Sequence, residues 1–253
     1  MTGLQPRLPD GYRLVSRETV GSTNDEAARL ARSGAEQGTL VWALEQTSGR
    51  GRRAREWVSP RGNLYASLVL RPACQLEHAA QLGFVAALAV GDALAALVPG
   101  LREPALKWPN DVLVGGRKIA GLLLEAEIGE NGNLAFLIVG VGINLVSAPT
   151  DAEFPATSIL GEGHRPPEPA AMLEAFAPHF DSWARCWREE GFAPVRAAWR
   201  TRARGLGEPI RVRLETTTLH GRFADIDHQG VLLLDTPDGR RRISVGDVFP
   251  ATS

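Results

Sequence analysis

Apolar and polar positions in the first hundred residues switch between strand spacing and helix spacing. Residues 23–32 have helical spacing. Thr23 and Glu26 stand at the spacing of a capping box, and Gly34 suits the position just past the helix end. The segment 46–57, which we call the arginine loop, lacks apolar periodicity and is predicted to be irregular. We predict two strands and a long buried helix at 39–45, 63–71 and 75–98.

The pattern after residue 100 predicts four more strands and then two helices. The strands are predicted at 105–108, 111–114, 118–128 and 134–145, and the helices at 170–190 and 193–204. Gly115 and Gly116 join the second and third of these strands, which is typical of a β-hairpin. The sequence GENGN at 129–133 predicts another turn, and the Pro-rich stretch 147–169 predicts a long connection of the kind that often carries function.

The pattern of predicted elements changes at Gly205, from helices to short strands. Four or five short strands follow at close spacing, with turn sequences at 228–230 and 237–239. This arrangement is typical of a small antiparallel barrel. We therefore predict a domain boundary near residues 204–208.

Length and composition are those of an ordinary soluble protein with one large domain, or one medium and one small domain. The chain has 253 residues, of which 44% are hydrophobic, and a net charge of −1, which argues against a protein that mainly coats nucleic acid. Cys74 and Cys186 lack the spacing of a disulfide framework or a thiolate metal site. The N-terminus has no signal-peptide pattern, and the most apolar stretch, 82–98, is short for a membrane span and contains Asp92. We expect a cytoplasmic protein.

Only two of the 28 basic residues are lysines, and both lie in one segment, LKWPNDVLVGGRKIAGLLLE. Lysine is a compact point charge on a flexible stem, which suits phosphate or carboxylate oxygens in a tight site, so the placement of Lys107 and Lys118 favours chemistry over chance. Asn110 and Asp111 follow a proline at a turn, where they could hold Mg²⁺ through oxygen ligands or only cap the turn. Gly121, in a bulky strand, is typical of close approach by a ligand or another backbone.

The arginine loop contains four arginines and two glycines in Gly49–Arg55, GRGRRAR. Glycines let backbone N–H groups approach an anion closely, and Trp57 offers a flat face to a purine ring or a guanidinium. The spacing is not that of a P-loop. These features favour a nucleotide or polyphosphate site, and a plain surface loop or a nucleic-acid contact is the alternative. A later glycine pair at 140–145 lacks the third glycine and the following helix of a dinucleotide fingerprint, and leaves Asn144 as a polar contact at a strand end.

Four segments taken together resemble the biotin protein ligases: GSTN at 21–24, GRGRRAR with its tryptophan at 49–57, KWPND and RKIAGLLLE at 107–125, and VGVGIN at 139–144. The resemblance covers about residues 15–150, and the C-terminal strands are similar to the small SH3-like domain of these ligases. It implies an α+β fold with a mixed sheet flanked by helices, like that of class II aminoacyl-tRNA synthetases, in a catalytic domain at 1–205. An SH3-like β-barrel at 206–253 would follow. Ala54 departs from the pattern, since the family usually has glycine there.

The resemblance implies a role for each matching residue. Biotin contacts are implied for Ser22, Thr23, Asn24, Gln46, Gly49, Arg50, Gly51, Arg52, Lys118 and Gly121. Contacts with ATP or the adenylate are implied for Arg52, Arg55, Trp57, Lys107, Asn110, Lys118 and Asn144. Lys118 and Arg52 are the implied catalytic residues, and Asp111 is the implied metal ligand.

The resemblance also implies activation of biotin to biotinyl-5′-AMP with ATP and Mg²⁺, followed by transfer of biotin to a lysine of a biotin carboxyl carrier protein. This chemistry needs charge stabilisation and exclusion of water, so the absence of a clear Ser-His-Asp set is no obstacle. The first motif begins near residue 20, which leaves no room for the N-terminal DNA-binding module of larger family members. We expect no DNA partner, no membrane partner, and a monomer or a weak homodimer.

Two alternatives stay open. A lipoate or octanoate ligase of the same fold shares the chemistry, but Gln46 and residues 22–24 offer the hydrogen-bonding groups that suit a ureido ring. A nucleic-acid-binding protein could use the same arginines, and would bind DNA or RNA with a strong dependence on salt.

Overall fold

The computed structural model describes residues 5–129 and 133–251. Over these residues the chain forms a seven-stranded mixed sheet, a five-stranded antiparallel sheet and five α-helices. The helices are α1 Thr23–Arg32, α2 Leu76–Ala79, α3 Leu82–Leu97, α4 Pro169–Glu190 and α5 Phe192–Thr201. Short 3₁₀ turns at Arg52–Ala54 and Leu160–Glu162 lie in the connections.

The first sheet has the spatial order β1-β2-β3-β7-β6-β5-β4. Its strands are β1 Arg13–Val20, β2 Thr39–Gln46, β3 Leu64–Leu70, β4 Ala105–Lys107, β5 Asp111–Val114, β6 Arg117–Ile128 and β7 Leu134–Ile143. β1 and β2 pair in parallel, and the other neighbours pair antiparallel. The predicted strands are confirmed to within two residues at each end. β1 was not predicted, because this edge strand has no fully buried residue and therefore no clear alternation.

Helices cover both faces of this sheet. Leu40 and Trp42 belong to the large hydrophobic cluster formed with α3, whereas Val41 belongs to a smaller cluster formed with α1. This division follows from the two-residue period of a strand. α3 also packs along α4, so twelve of its residues are buried.

The helix predicted at 75–98 is two helices in the structure, α2 and α3, with a break at Ala80 and Gln81. The amide oxygen of Gln81 accepts a hydrogen bond from the indole N–H of Trp187 on α4 at 2.8 Å. Apolar spacing gives no signal for such a tertiary partner, so the prediction of one continuous helix is wrong here. The segment Leu76–Leu97 is long and apolar enough to cross a membrane, but 72% of its most apolar window is buried, as in a core helix.

The start of α1 differs from the predicted capping box. Ser22 is the N-cap residue and makes no side-chain cap. The Thr23 hydroxyl donates to the Gln46 side chain at 3.0 Å, and the Glu26 carboxylate pairs with Arg17 and Arg29. The capping-box prediction is wrong because these tertiary and helical partners engage both side chains. The predicted stop is confirmed, since Gly34 has φ = +91° and its N–H bonds the helix end.

The predicted hairpin between β5 and β6 is confirmed. Gly115 and Gly116 have φ values of +56° and +77°, as a two-residue type I′ turn requires. The predicted turn at 129–133 falls partly on residues 130–132, outside the described residues. On either side of them, the N–H of Gly129 donates to the carbonyl of Asn133 at 2.8 Å.

The second sheet has the order β11-β10-β9-β8-β12, and all pairs are antiparallel. Its strands are β8 Pro209–Arg213, β9 Thr218–Ile226, β10 Leu232–Thr236, β11 Gly239–Ile243 and β12 Asp247–Pro250. The turns predicted at 228–230 and 237–239 are confirmed. The Trp108 indole N–H, buried after β4, donates to the Gly230 carbonyl at 3.0 Å, which fastens this sheet to the first.

Candidate active site

One pocket of about 350 Å³ lies over the middle of the first sheet. It collects side chains from the start of α1, the end of β2, the arginine loop, β4 to β7, the connection after β7 and the second sheet. Of the residues implicated by the sequence, it is lined by Ser22, Thr23, Asn24, Gln46, Arg50, Gly51, Arg52, Arg55, Trp57, Lys107, Asn110, Asp111, Lys118, Gly121 and Asn144. Gly49 is not among the lining residues. A Cβ there would lie 2.4 Å from both Ser59 Oγ and the Trp57 carbonyl, so its role is to let the loop fold tightly.

A chain of hydrogen bonds forms the polar end of the pocket. The side-chain oxygen of Gln46 accepts from the backbone N–H and the hydroxyl of Thr23, at 2.8 and 3.0 Å. Its amide nitrogen donates to Ser59 Oγ at 2.9 Å, and Ser59 donates to the Trp57 carbonyl at 2.7 Å. The predicted contact residues at the end of β2 and the start of α1 are thus joined to the arginine loop.

Asn24 extends this chain across the sheet. Its amide nitrogen donates to Glu125 at 2.7 Å, and its oxygen accepts from the Ser67 hydroxyl at 2.6 Å. A Cβ at Gly140 would lie 2.2 Å from the Asn24 oxygen, so a glycine on β7 is needed to seat this side chain. Sequence reasoning missed Ser67 and Glu125. The available signals were a hydroxyl inside the apolar strand β3 and the acidic end of the motif RKIAGLLLE.

The arginine loop folds as a small hairpin rather than as irregular chain. Trp57 N–H donates to the Gly49 carbonyl at 2.9 Å, and Gly51 N–H donates to the Arg55 carbonyl at 2.7 Å. At the tip, Arg53 and Ala54 both have φ = +55°, in the left-handed region. The position that carries glycine in the resembled family therefore needs a backbone conformation that costs alanine about 1–2 kcal/mol.

The Trp57 ring packs against the backbone of Gly121 and Gly142, a surface that we call the glycine floor. Gly121 and Gly142 are directly paired across β6 and β7, and a Cβ on either would lie within about 3 Å of the indole ring, at 3.0 and 2.8 Å respectively. The indole N–H is buried without a hydrogen-bond partner, a state that costs about 1–3 kcal/mol. Lys118 Nζ lies 5.0 Å from the ring centroid. The ring can lie flat against these two strands only because both positions are glycine. A larger residue at 121 or 142 would displace it from the pocket.

Both lysines of the chain bind one buried carboxylate. Lys118 Nζ lies 2.6 Å from Asp111 Oδ1, and Lys107 Nζ lies 2.9 Å from Oδ2. Burial acts to raise the pKa of Asp111, but the ammonium groups of Lys118 and Lys107 outweigh it and hold this pKa well below its usual value. The cluster keeps one excess positive charge, and Lys118 is its more accessible ammonium, with 24% of its side chain exposed against 10% for Lys107.

This geometry does not favour the metal role expected for Asp111. Each carboxylate oxygen already accepts from an ammonium group, and two adjacent positive charges oppose a divalent cation. Nor do residues 5–129 and 133–251 contain a group of three His, Cys, Asp or Glu side chains that could hold a metal ion. The carboxylate instead places the two lysines.

The C-terminal sheet engages the loop arginines. The Asp247 carboxylate accepts from Arg55 and, at 3.2 Å, from Arg53, while Arg52 donates to the Gly246 carbonyl at 3.1 Å. Burial lowers the pKa of Arg52, against the opposing effect of Asp247 and Asp111. Asp247 and Phe249 both line the pocket, so the second sheet contributes to the site. Sequence reasoning did not include it.

The two predicted asparagines hold backbone segments around the pocket. Asn110 donates to the Leu122 carbonyl on β6, and Asn144 donates to the Thr157 carbonyl at 3.1 Å. Near them, Phe154 lies over Lys107, with 4.4 Å between Nζ and the ring centroid. Phe154 belongs to the Pro-rich connection after β7, which therefore forms one wall of the pocket.

Family models match almost the whole chain. Residues 8–201 match the biotin/lipoate A/B protein ligase family, and residues 205–249 match the biotin protein ligase C-terminal domain. The chain belongs to the biotin/lipoate A/B protein ligase family. Membership agrees with the expected α+β fold, which is confirmed: a mixed sheet flanked by helices and a C-terminal antiparallel sheet of the SH3-like kind.

Individual members of this ligase family are similar over most of their length. A biotin–[acetyl-CoA-carboxylase] ligase of Paracoccus denitrificans is 45% identical over 90% of this chain and 96% of its own. The bifunctional ligase/repressor BirA of Bacillus subtilis is 36% identical over 94% of this chain and 74% of its own. Among solved structures, the biotin protein ligase of Aquifex aeolicus in complex with biotin and ATP superposes with a TM-score of 0.78 at 28% identity, covering 94% of this chain and 97% of that one.

Proposed function

We propose that this ligase activates biotin with ATP and transfers it to a protein. The biotin carboxylate oxygen attacks the α-phosphorus of ATP, pyrophosphate leaves, and biotinyl-5′-AMP forms. A lysine amine of a biotin carboxyl carrier protein then attacks the acyl carbon, and AMP leaves with the bonding electrons. The observation that carries this proposal is that one pocket holds both the Thr23–Gln46 hydrogen-bonding set and the partly exposed ammonium of Lys118.

The polar end suits the ureido ring of biotin. A ureido group offers one carbonyl acceptor and two N–H donors, so its site needs both kinds of partner. The buried Ser22 and Thr23 and the half-buried Gln46 present hydroxyl, backbone N–H and amide groups at this end of the pocket. These groups bond one another in the structure, and a wholly aliphatic acyl chain could neither share nor replace those hydrogen bonds. This favours biotin over an octanoyl substrate.

The cationic end suits the reacting phosphate. Negative charge grows on the α-phosphate oxygens as the carboxylate attacks, and fixed cations aimed at it lower the barrier by a few kcal/mol each. Lys118 is held in place by Asp111, and Arg52 by the Gly246 carbonyl, so both would be preorganised. We assign catalysis to these two residues. Trp57 and the arginine loop would exclude water from the reactive mixed anhydride.

ATP would occupy the side of the pocket formed by Lys107, Asn110, Arg55, Asn144 and Trp57. Lys107 and Arg55 supply charge toward phosphates, and the Trp57 face suits adenine. Mg²⁺ would enter with ATP. Because both oxygens of Asp111 accept from lysines, the triphosphate and water would supply the oxygen ligands of the ion.

We further infer a catalytic domain at 1–205 and a C-terminal domain at 206–253, with the latter closing the pocket through Asp247. The matches at 8–201 and 205–249 support this division. The proposed partners are biotin, ATP and a carrier domain of a carboxylase, and the proposed compartment is the cytoplasm. The carrier lysine would approach from the solvent side of the arginine loop.

Pyrophosphate exchange tests the first half-reaction. The purified protein, given ATP, Mg²⁺ and labelled pyrophosphate, should form labelled ATP when biotin is added and little when lipoate or octanoate replaces it. Exchange with lipoate or octanoate alone would point to the other branch of the family, and no exchange with any of the three would refute acyl activation. Biotin transfer to a purified carrier domain, followed by mass spectrometry, tests the second half-reaction.

A further inference from the structure

Arg50 of the arginine loop is held by two carboxylates that lie outside the loop. Its guanidinium donates from both terminal nitrogens, Nη1 and Nη2, to the Asp25 carboxylate on α1, at 2.5 and 2.6 Å. One of these nitrogens also lies 3.0 and 3.1 Å from the two oxygens of Glu125 on β6. A two-point guanidinium–carboxylate pair fixes direction as well as distance. Asp25 also lies in the first turn of α1, where the helix dipole favours a negative charge.

Holding Arg50 holds the rest of the loop. The backbone of Arg50 forms an antiparallel β-bridge with that of Glu56 inside the hairpin. This bridge lies between the backbone hydrogen bonds from Trp57 to Gly49 and from Gly51 to Arg55. A displacement of Arg50 would therefore carry Trp57 away from its glycine floor. Arg50 and Trp57 line the pocket. Asp25 and Glu125 are not among the described residues that line it. Asp25 can therefore act on the pocket only through the loop, whereas Glu125 can act through the loop and through Asn24, which lines the pocket.

Glu125 also belongs to the hydrogen-bond chain at the polar end. It accepts from Asn24 at 2.7 Å while it pairs with Arg50, so one carboxylate joins the loop to the residues proposed for the ureido ring. Asn24 is 4% exposed, and the partly exposed Arg50 and Glu125 lie at the margin of this buried network. The loop position and the shape of the polar end are thereby coupled.

We propose that Asp25 and Glu125 are positioning residues, which keep the arginine loop closed through Arg50 so that biotin meets a preformed site and the acyl-adenylate is retained. This inference rests on the proposed function. A simple fold-stabilising role is the alternative, and the chain contains a matched control for it. Glu127 pairs with Arg32 at 2.7 Å and joins the same strand to the same helix, two residues further along β6 and away from the loop.

The test compares Asp25→Asn, Glu125→Gln and their double variant with Glu127→Gln. Glutamine at 125 keeps an oxygen that can accept from Asn24. Trypsin is applied first without biotin or ATP, and cleavage after the loop arginines 50, 52, 53 and 55 is followed by mass spectrometry. KM for biotin and kcat are then measured by pyrophosphate exchange, escape of biotinyl-AMP is measured by chromatography, and thermal midpoints are recorded.

Each single variant should speed loop cleavage and raise KM for biotin about two- to fivefold, as expected for loss of a partly exposed ion pair, and the double variant about tenfold. Escape of the adenylate should rise with them, while kcat changes less than about twofold. Asp25→Glu keeps the carboxylate, so its loop should be as protected as that of the wild type. Glu127→Gln should also behave like the wild type.

Unchanged loop cleavage in the double variant would overturn the proposal. So would faster cleavage without a rise in KM, or losses that follow the thermal midpoint and appear equally in Glu127→Gln. The protease arm contains no substrate, so it tests loop positioning even if the wild type shows no biotin-dependent exchange. An absence of biotin-dependent exchange in the wild type would refute the proposed function instead.

Discussion

Replacing Lys118 with alanine should separate catalysis from stability. The change removes an ammonium 2.6 Å from Asp111 Oδ1 and 5.0 Å from the Trp57 ring. Asp111 keeps Lys107 at 2.9 Å, so the buried carboxylate is not left without a counter-charge. The loss of one charge-assisted bond costs about 1.5–3 kcal/mol, against about 3–5 kcal/mol for orphaning a buried charge. A domain with about 5–15 kcal/mol of stability should therefore remain folded.

The rate should fall far more than the stability. Removal of one preorganised donor from a developing oxyanion costs about 2.7–4 kcal/mol, or about 10²–10³-fold in kcat for pyrophosphate exchange. Lys107→Ala is the matched control, because it also leaves Asp111 with one ammonium. Lys107 is less exposed and lies against Phe154, so its loss should cost similar stability but only about tenfold in exchange, mainly through KM for ATP.

Exchange kinetics and urea unfolding measure the two quantities side by side. Exchange by Lys118→Ala within about threefold of the wild type would refute the catalytic assignment, since an electrostatic role of this kind predicts a larger loss. Equal kcat losses in the two variants would show that the charge of the cluster matters and the position of the Lys118 ammonium does not. Unfolding of Lys118→Ala under native conditions would contradict the redundancy of the two lysines around Asp111.

Three further predictions follow from the same geometry. Asp111 has a folded pKa below its unfolded value of 3.8, so its contribution to stability should be present above about pH 4 and lost as the pH falls toward the folded pKa; urea unfolding from pH 3 to pH 7 should show a flatter acid limb for Asp111→Asn. Gly142→Ala places a Cβ 2.8 Å from Trp57, so it should displace the ring and raise KM for biotin about tenfold with little change in the thermal midpoint; an unchanged KM would contradict the glycine floor. Ala54→Gly removes the left-handed strain at φ = +55°, which outweighs the entropy that glycine adds to the unfolded chain, and should stabilise the protein by about 0.5–1 kcal/mol; destabilisation on urea unfolding would count against this loop conformation.

Most elements of the first sheet could be predicted because their signals are local. The hairpin at Gly115 and Gly116 needs two residues with positive φ, and short, nearly continuous apolar runs mark β2 and β3, which are buried on both faces. The errors occur where a distant partner replaces a local one. The Thr23 hydroxyl donates to Gln46 and does not cap α1. The long predicted helix breaks at Gln81, whose side chain accepts a hydrogen bond from Trp187. The edge strand β1 escaped prediction because it has too little burial to impose a pattern.

The candidate site divides in the same way. Motif residues such as Thr23, Trp57 and Lys118 could be named in advance, and the structure brings them into one pocket. Asp247 could not be named, because it lies 192 residues from Arg55 and belongs to a sheet with its own separate pattern. The carboxylate of Asp111 shows the reverse case. The residue could be named from its motif, but its two ammonium partners were not foreseen, and the metal role expected for it stays a prediction.

The amino-acid sequence by itself determined the order of most strands and turns, the glycine positions at which backbone must come close, and the kinds of polar group available for chemistry. These depend on interactions between residues a few positions apart. The tertiary structure alone decided which charges from distant parts of the chain meet: Arg50 with Asp25 and Glu125, and the loop arginines with Asp247. Such pairs form only after packing has brought distant segments within a few ångströms, where the energy of two charges becomes large enough to fix side-chain positions.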